Sequence, residues 1–248
     1  MALPKIDSPI YDLELPLSKQ KIRFRPFLVK EQKNLLMAME SNDSDSIEKN
    51  IKQVLTNCTL TEKFDVDGLP VLDIEYYFLN LRARSVGEVV ENKYRCDNQI
   101  TTEAGDVKSC GNIMESSLNI LDIKVEFNKE NQDVIQLTPT ISVRLKYPQF
   151  SVLKKLKDLS SASDIAIQMI ADSIDYIYDS SVEQFYYAKE TTNEELVEFI
   201  GSLNQQQFSL IEEFFENMPK MEKKVEMRCS KCGFEHSIDV EGLENFFV

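Results

Sequence analysis

The sequence predicts an α+β fold, and three observations carry the prediction. Apolar and polar residues alternate over residues 10–27 and again over 88–145. Apolar residues recur at helical spacing over 29–84 and 150–217, and strand-like sequence returns around a late cysteine pair. The order is mixed and lacks the regular strand–helix alternation of a parallel sheet.

The elements follow in order. Ile10 to Leu17 and Lys21 to Phe27 read as strands about a polar Ser18-Lys19-Gln20 turn, with Ile22 and Phe24 alternating with Arg23 and Arg25. Val29 to Glu40 switches to helical spacing. Ser41 to Ser46 offers N-cap residues for a helix from Ile47 to Cys58. A third helix spans Val71 to Arg84, on Leu72, Tyr76, Leu79 and Ala83. Glu88 to Cys96 alternates as a strand, the polar stretch to Cys110 reads as a loop, and further strands are expected at Ser117–Ile120, Ile123–Phe127, Val134–Leu137 and Ile141–Leu145. Helices are expected at Phe150–Leu159, Ser163–Tyr178, Asn193–Ile200 and Asn204–Asn217. Thr192 or Asn193 caps the third of these, and Glu194 and Glu195 lie in its first turn, where the helix dipole favours acid. Val225 to Arg228 is again a strand. These patterns divide the chain into an N-terminal strand pair with helices (1–86), a β-rich region (87–147), a helical insertion (148–219) and a closing β segment (220–248).

Composition narrows the function. With 42% apolar and 28% charged residues in 248, the chain can bury a core. Net charge is −14, so the surface on average repels phosphate, which argues against bulk binding to nucleic acid or an anionic membrane. The start, Met1-Ala-Leu-Pro-Lys-Ile-Asp-Ser-Pro9, lacks the pattern of a secretory leader, and no apolar run is long enough to span a bilayer. A cytoplasmic location is expected, unless the chain leaves as part of a larger particle. In that reducing compartment five cysteines indicate metal or free thiols.

Cys229-Ser-Lys-Cys232-Gly233 can converge two thiolates on one ion, with the glycine supplying the positive φ of a tight turn. The same spacing serves redox pairs, but those sit at a helix start in a βαβ context, and the flanks here are strand-like. The other half is less compact. Tyr94-Arg95-Cys96 parallels Met227-Arg228-Cys229, and Cys110-Gly111-Asn112 parallels Cys232-Gly233-Phe234. Ser117–Ile120 and Ser237–Val240 follow in corresponding places. The expectation is a zinc-ribbon-like module of two pseudo-symmetric hairpins, distant in sequence, in which Cys96, Cys110, Cys229 and Cys232 hold a structural Zn²⁺. Four thiolates suit its tetrahedral preference and leave no open position for chemistry. His236 is the available substitute ligand, though a strand position partly exposed to solvent is its simpler reading. Cys58, among Val54, Leu55 and Leu60, reads as a core thiol.

Other features have plainer readings. Lys19, Lys21, Arg23, Arg25, Lys30 and Lys33 form a basic patch that is either a docking surface or a solvated face paired with the protein's own acids. Leu35, Leu36, Met37 and Met39 read as core, with a partner-binding helix face as the alternative; the aromatic Ile211–Pro219 stretch reads as core, and Phe246-Phe247 packs either into the chain or into a neighbouring subunit. With one histidine, and no glycine-rich phosphate loop, no catalytic set is assembled.

A resemblance runs through the chain in order. Ile22-Arg-Phe-Arg-Pro-Phe-Leu-Val-Lys-Glu-Gln-Lys-Asn-Leu-Leu-Met-Ala-Met-Glu40 resembles the opening of the small baseplate hub and hub-assembly proteins of T-even-type contractile-tail phages. Glu195-Leu-Val-Glu-Phe-Ile200, Gln207-Phe208, Phe214-Phe215 and Met218-Pro219 are similar too, as is a late Cys-x-x-Cys-Gly followed by acidic and apolar residues and Phe-Phe. The resemblance implies a non-enzymatic structural or assembly role in the central hub, with no catalytic residues to carry over. It implies other tail and hub proteins as partners, with the tape-measure protein a candidate client of a chaperone-like member. It places the chain in the host cytoplasm during assembly and leaves open a place in the virion tail baseplate and a homo-oligomer. Two other readings stand beside it: a cellular zinc-ribbon module in transcription or RNA handling, served by Arg95, Lys108, Arg228 and Lys231, and a thiol oxidoreductase on Cys229 and Cys232.

Overall fold

The computed structural model describes residues 7–41, 43–101, 105–128, 132–156 and 159–241. Along the chain run β1 (Tyr11–Glu14), β2 (Lys21–Phe24), α1 (Val29–Glu40), α2 (Ser44–Cys58), α3 (Val71–Ser85) and β3 (Val89–Arg95). Then come β4 (Gln99–Thr101), β5 (Val107–Ser109), β6 (Ile113–Asn119), β7 (Lys124–Glu126), β8 (Val134–Gln136) and β9 (Ile141–Leu145). The rest are α4 (Phe150–Leu156), α5 (Ala162–Ser173), β10 (Ile174–Asp179), β11 (Gln184–Tyr187), α6 (Asn193–Gly201), α7 (Gln205–Glu216), β12 (Lys220–Arg228) and β13 (Glu235–Glu241). Helices and antiparallel sheets coexist, as an α+β chain requires.

The residues cluster into two compact units. One is built from the described residues up to Glu62, Glu75–Glu126 and those from Lys220 onward; the other takes Lys63–Ile74 and Phe127–Pro219. In space, therefore, residues 127–147 group with 148–219 and not with the strands before them.

In the first unit β1 and β2 form a hairpin whose register, Leu13↔Ile22 and Tyr11↔Phe24, follows the alternation in the sequence. Ile22 and Phe24 point inward, and Phe24 meets Tyr77 of α3 edge-on with ring centroids 5.3 Å apart. Past Phe24 the strand bridges to Thr59, just after α2. Asp43 caps α2 by accepting the backbone N–H groups of Asp45 and Ser46. Cys58 is fully buried, and burial pushes its thiol up to about 12, so it is a core thiol.

Arg25 departs from the alternation. Its guanidinium grips Glu31 with two bonds (2.8 and 3.1 Å) and also donates to the carbonyls of Pro26 and Asn57. Glu31 in turn accepts the Leu28 backbone N–H, closing the first turn of α1. One inward ion pair thus joins β2, the start of α1 and the end of α2. Burial works to raise the Glu31 carboxyl, but the bonds from Arg25 and Leu28 win and hold it below the usual range. Lys21 and Arg23 stay outside and pair with Glu14 and Asp12. The basic patch is thus partly turned inward and partly matched by the protein's own acids. On α1, Leu35 and Ala38 are buried, but Leu36 and Met37 are more than half exposed, which corrects the reading of all four apolar residues as core.

The second unit packs α5, α6 and α7 on an antiparallel sheet of order β11-β10-β9-β8. Its core includes Val143, Leu145, Ile170, Ile174, Ile200, Ile211 and Phe214. Thr192 with Glu195, and Asn204 with Gln207, close capping boxes at the starts of α6 and α7. The expected helix over Ser163–Tyr178 stops at Ser173, and Ile174–Asp179 is a strand. The reason is a coincidence of spacing: Ile170, Ile174 and Ile177 sit four and three apart, as on a helix. The β-branched and aromatic run after Ser173 instead takes the extended form, with Tyr176 and Tyr178 on the other face. Phe246-Phe247 lies outside the described residues.

Two stability outcomes follow. Replacing Glu31 by Ala removes both the cap and the partner of a mostly buried guanidinium. The expected loss is about 3 kcal/mol in denaturant unfolding, with unchanged slope. Glu75, in α3, has its carboxyl pushed up to about 7 by burial. The folded protein therefore holds this proton more tightly than the unfolded chain. Its contribution is most favourable below the ordinary value of 4.5, declines as pH rises to about 7, and is constant above. A Glu75→Gln variant should melt a few degrees higher at neutral pH and lose that part of the slope, as a pH series of thermal melts would record.

Candidate metal centre

Two hairpins in the first unit end in matching turns. β3 pairs with β6 from Val89↔Asn119 to Arg95↔Ile113, and β12 pairs with β13 from Glu222↔Glu241 to Arg228↔Glu235. At the end of the second, the Cys229 N–H donates to the Phe234 carbonyl (2.8 Å) and the Gly233 N–H to the Cys229 carbonyl (2.9 Å). At the end of the first, the Cys96 N–H donates to the Asn112 carbonyl (2.8 Å) and the Gly111 N–H to the Cys96 carbonyl (2.9 Å). Gly111 and Gly233 both take positive φ, at 66° and 72°. Thirteen residues separate Cys96 from Cys110, and among those described β4 pairs antiparallel with β5, set into a turn that closes as the tight one does. That stretch was expected as a loop; its Gln99↔Ser109 to Thr101↔Val107 pairing was hidden by polar side chains.

The turns bring the four predicted cysteines together. All four sulfurs lie within 4.8 Å of one another. Each cross-pair takes one sulfur from each hairpin: Cys96 to Cys232 at 3.6 Å and Cys110 to Cys229 at 3.8 Å. These are far longer than a disulfide bond. A tetrahedral ion with metal–sulfur bonds of about 2.3 Å sets its sulfurs about 3.8 Å apart. Cys96, Cys110 and Cys229 are buried, with Tyr94, Ile100, Met114 and Met227 around them, and Cys232 is half-buried.

The surrounding donors favour negative sulfur. Backbone N–H groups of Cys232 and Lys231 point at Cys229 and, with the Asn112 amide at 3.4 Å, bring its thiol down to about 6 despite burial. The Phe234 N–H, with the Asn98 amide at 3.6 Å, lowers Cys232. Cys96 goes the other way: burial, reinforced by its neighbouring thiols, pushes it up to about 12. Protein dipoles thus favour negative charge on Cys229 and Cys232, while burial opposes it on Cys96. Such a set fits a divalent ion that accepts sulfur, and with four ligands it leaves no open position for water.

His236 lies on β13 and is partly exposed, as expected, but it also borders the cage: its side chain is 10% exposed, Nε2 lies 3.2 Å from the Cys96 sulfur, and Nδ1 lies 3.6 Å from Asp97. Sequence reasoning missed Asn98 and Asn112, and it set Lys231 in a basic stripe, whereas Lys231 donates to the Cys110 carbonyl at 3.3 Å. One signal was available: an asparagine follows each of Cys96 and Cys110 by two residues.

Comparison with known proteins points one way. The family described as T4 bacteriophage base plate protein matches residues 8–248. The baseplate hub assembly protein gp26 of Enterobacteria phage T4 is 21% identical over 238 residues, covering 96% of this chain and 97% of that protein. No solved structure matches.

The two glycines offer a test of the matched turns. A Cβ at Gly111 or Gly233 would meet nothing closer than 3.9 Å, so only the backbone conformation opposes it. Gly→Ala at either position should cost roughly 1–2 kcal/mol, and Gly→Asn clearly less, when compared by chemical denaturation.

Proposed function

Because the chain belongs to the T4 bacteriophage base plate protein family, we propose that it is a structural or assembly protein of the central hub of a phage tail baseplate. In this reading Cys96, Cys110, Cys229 and Cys232 hold a structural Zn²⁺, and the protein performs no catalysis. The observation that carries the role is the extent of the match: it covers both compact units, so the role belongs to the whole chain and not to a borrowed module. The hub assignment rests on the likeness to gp26 along nearly its full length. Partners are then other hub and tail proteins, the tape-measure protein among the candidates. The site of action is the host cytoplasm during assembly, followed by the tail baseplate if the chain is retained.

The sulfur geometry supports the zinc. A closed cage of thiolates holds two hairpins together and does no chemistry, which suits a scaffold. Among the described residues no helix is long and apolar enough to cross a membrane. The reading as a nucleic-acid zinc ribbon has lost ground. Arg228 donates to the Gly233 carbonyl and Lys231 to that of Cys110, so half of the proposed basic stripe is tied to the turns. The redox reading fares no better, since Cys229 and Cys232 flank a turn between two strands and no helix starts there.

Protein purified without chelator should contain about one zinc per chain by elemental analysis. Cys229→Ser should lose most of the metal and melt roughly 10 °C or more lower, because structural metal binding is folding energy. A metal-free wild type, or a variant with unchanged melting, would remove the zinc from this proposal. The role itself is tested separately, by measuring the chain's stoichiometry in purified tails and hub precursors. Absence from both would overturn it, and presence only in precursors would make it an assembly factor.

A further inference from the structure

The hydrogen bonds that side chains send to the cage sulfurs cross between the two hairpins. Asn98, just before β4, points its amide at Cys232 of the other hairpin at 3.6 Å, and Asn112 points its amide at Cys229 at 3.4 Å. One side chain runs the opposite way. His236, on β13, sits across the strand pair from Met227 and sets Nε2 3.2 Å from the sulfur of Cys96. The Phe234 ring meets the imidazole edge-on, with centroids 4.8 Å apart, and the His236 side chain is only 10% exposed, so the ring is held in place. Its other nitrogen lies 3.6 Å from Asp97, beyond the reach of a good hydrogen bond, and the Asp97 side chain is 90% exposed. Cys96 is therefore the near partner of this imidazole.

We infer that His236 is a positioning residue of the metal centre: its Nε2–H donates to the Cys96 sulfur and fixes that sulfur as a ligand. The inference rests on the reading of the cage as a zinc site. Its direction follows from chemistry. A metal-bound thiolate carries no proton and can only accept, so the hydrogen of this pair sits on nitrogen. Its need follows from place. Cys96 is fully buried and crowded by the other three thiols, and both oppose negative charge there. The backbone N–H of Asn98 offsets part of that opposition. His236 adds a second donor from the opposite hairpin, as Asn98 and Asn112 do for the sulfurs there. The four sulfurs already make up a tetrahedral set, which leaves the imidazole outside it as a donor and not as a ligand. Groups that hydrogen-bond to metal ligands orient them, and losing one typically weakens metal binding about 10- to 100-fold.

The test measures the zinc affinity of the full-length protein by competition with a chromogenic chelator, together with the absorption of the cobalt-substituted form. His236→Phe keeps a ring against Phe234 but loses the N–H, and His236→Asn is polar but too short to reach the sulfur. Each should bind zinc about 10- to 100-fold more weakly than the wild type. His236→Gln returns an N–H near the place of Nε2 and should stay within about threefold of the wild type. In the cobalt form, loss of the donor leaves more charge on sulfur. The sulfur-to-metal absorption should therefore move to longer wavelength in the Phe and Asn variants and stay in place in the Gln variant. Wild-type affinity in either of the first two variants overturns the inference, and so does a Gln variant as weak as they are. A wild type that takes up no zinc defeats the zinc reading and this inference together. A zinc-binding wild type whose His236 variants are indifferent defeats this inference alone.

Discussion

Four sulfur atoms from two distant hairpins meet at one point, and the first unit is organised around that meeting. Cys96 lies 136 positions from Cys232 and Cys110 lies 119 from Cys229. Closing loops of that length costs only slightly more than closing short ones, since the entropy grows with the logarithm of length. What matters is that the ends are held. They are: β7 pairs with the start of β12, setting Glu126 opposite Lys220, so the chain leaves the unit and returns to it at neighbouring positions. The same rule works on a smaller scale in the first cysteine turn. There the β4–β5 hairpin is inserted without disturbing the bonds that shape the turn.

Charge is arranged in keeping with that core. Carboxylates outnumber cations by fourteen, and several of the cations are engaged by the protein's own groups. Arg25 is locked to Glu31 and to two carbonyls, Arg228 and Lys231 brace the cysteine turns, and Arg144 pairs with Asp133 and lies over the Tyr176 ring. The outward field is therefore acidic, which suits docking onto basic protein surfaces more than onto phosphates. Against that background the exposed apolar residues include Val29, Leu36 and Met37 on α1, Val107 and Phe234 near the cysteine turns, and the aromatic edge at β11. Scaffold proteins need such places, because burial of apolar surface supplies most of the drive to associate.

Periodicity made most of the fold legible, and its failures are instructive. Alternation located β1, β2, β3 and β9, and polar caps marked α2, α6 and α7 within a residue or a few. β10 was misread because Ile170, Ile174 and Ile177 satisfy helical spacing while the chain has already turned into a strand. β11 was missed altogether. An edge strand with both faces open has no buried set to alternate against, so Phe-Tyr-Tyr carries no period. At the candidate site the four cysteines were readable because thiols are rare and their turns repeat, glycine included. Asn98 and Asn112 were not, because an N–H aimed at sulfur is a matter of distance and leaves no spacing rule behind.

By itself, then, the sequence determined the local matters: which stretches extend, which coil, which glycine of a cysteine turn must bear positive φ, and which four cysteines form one set. Those follow from backbone sterics and side-chain chemistry within a few residues. Tertiary structure alone decided that the two cysteine turns face each other and that Arg25 turns inward to Glu31. It alone decided that β8 and β9 join the sheet of the later segment. Each of these pairs groups separated by other parts of the chain, and such partners are chosen by mutual burial and bonding, which no local pattern records.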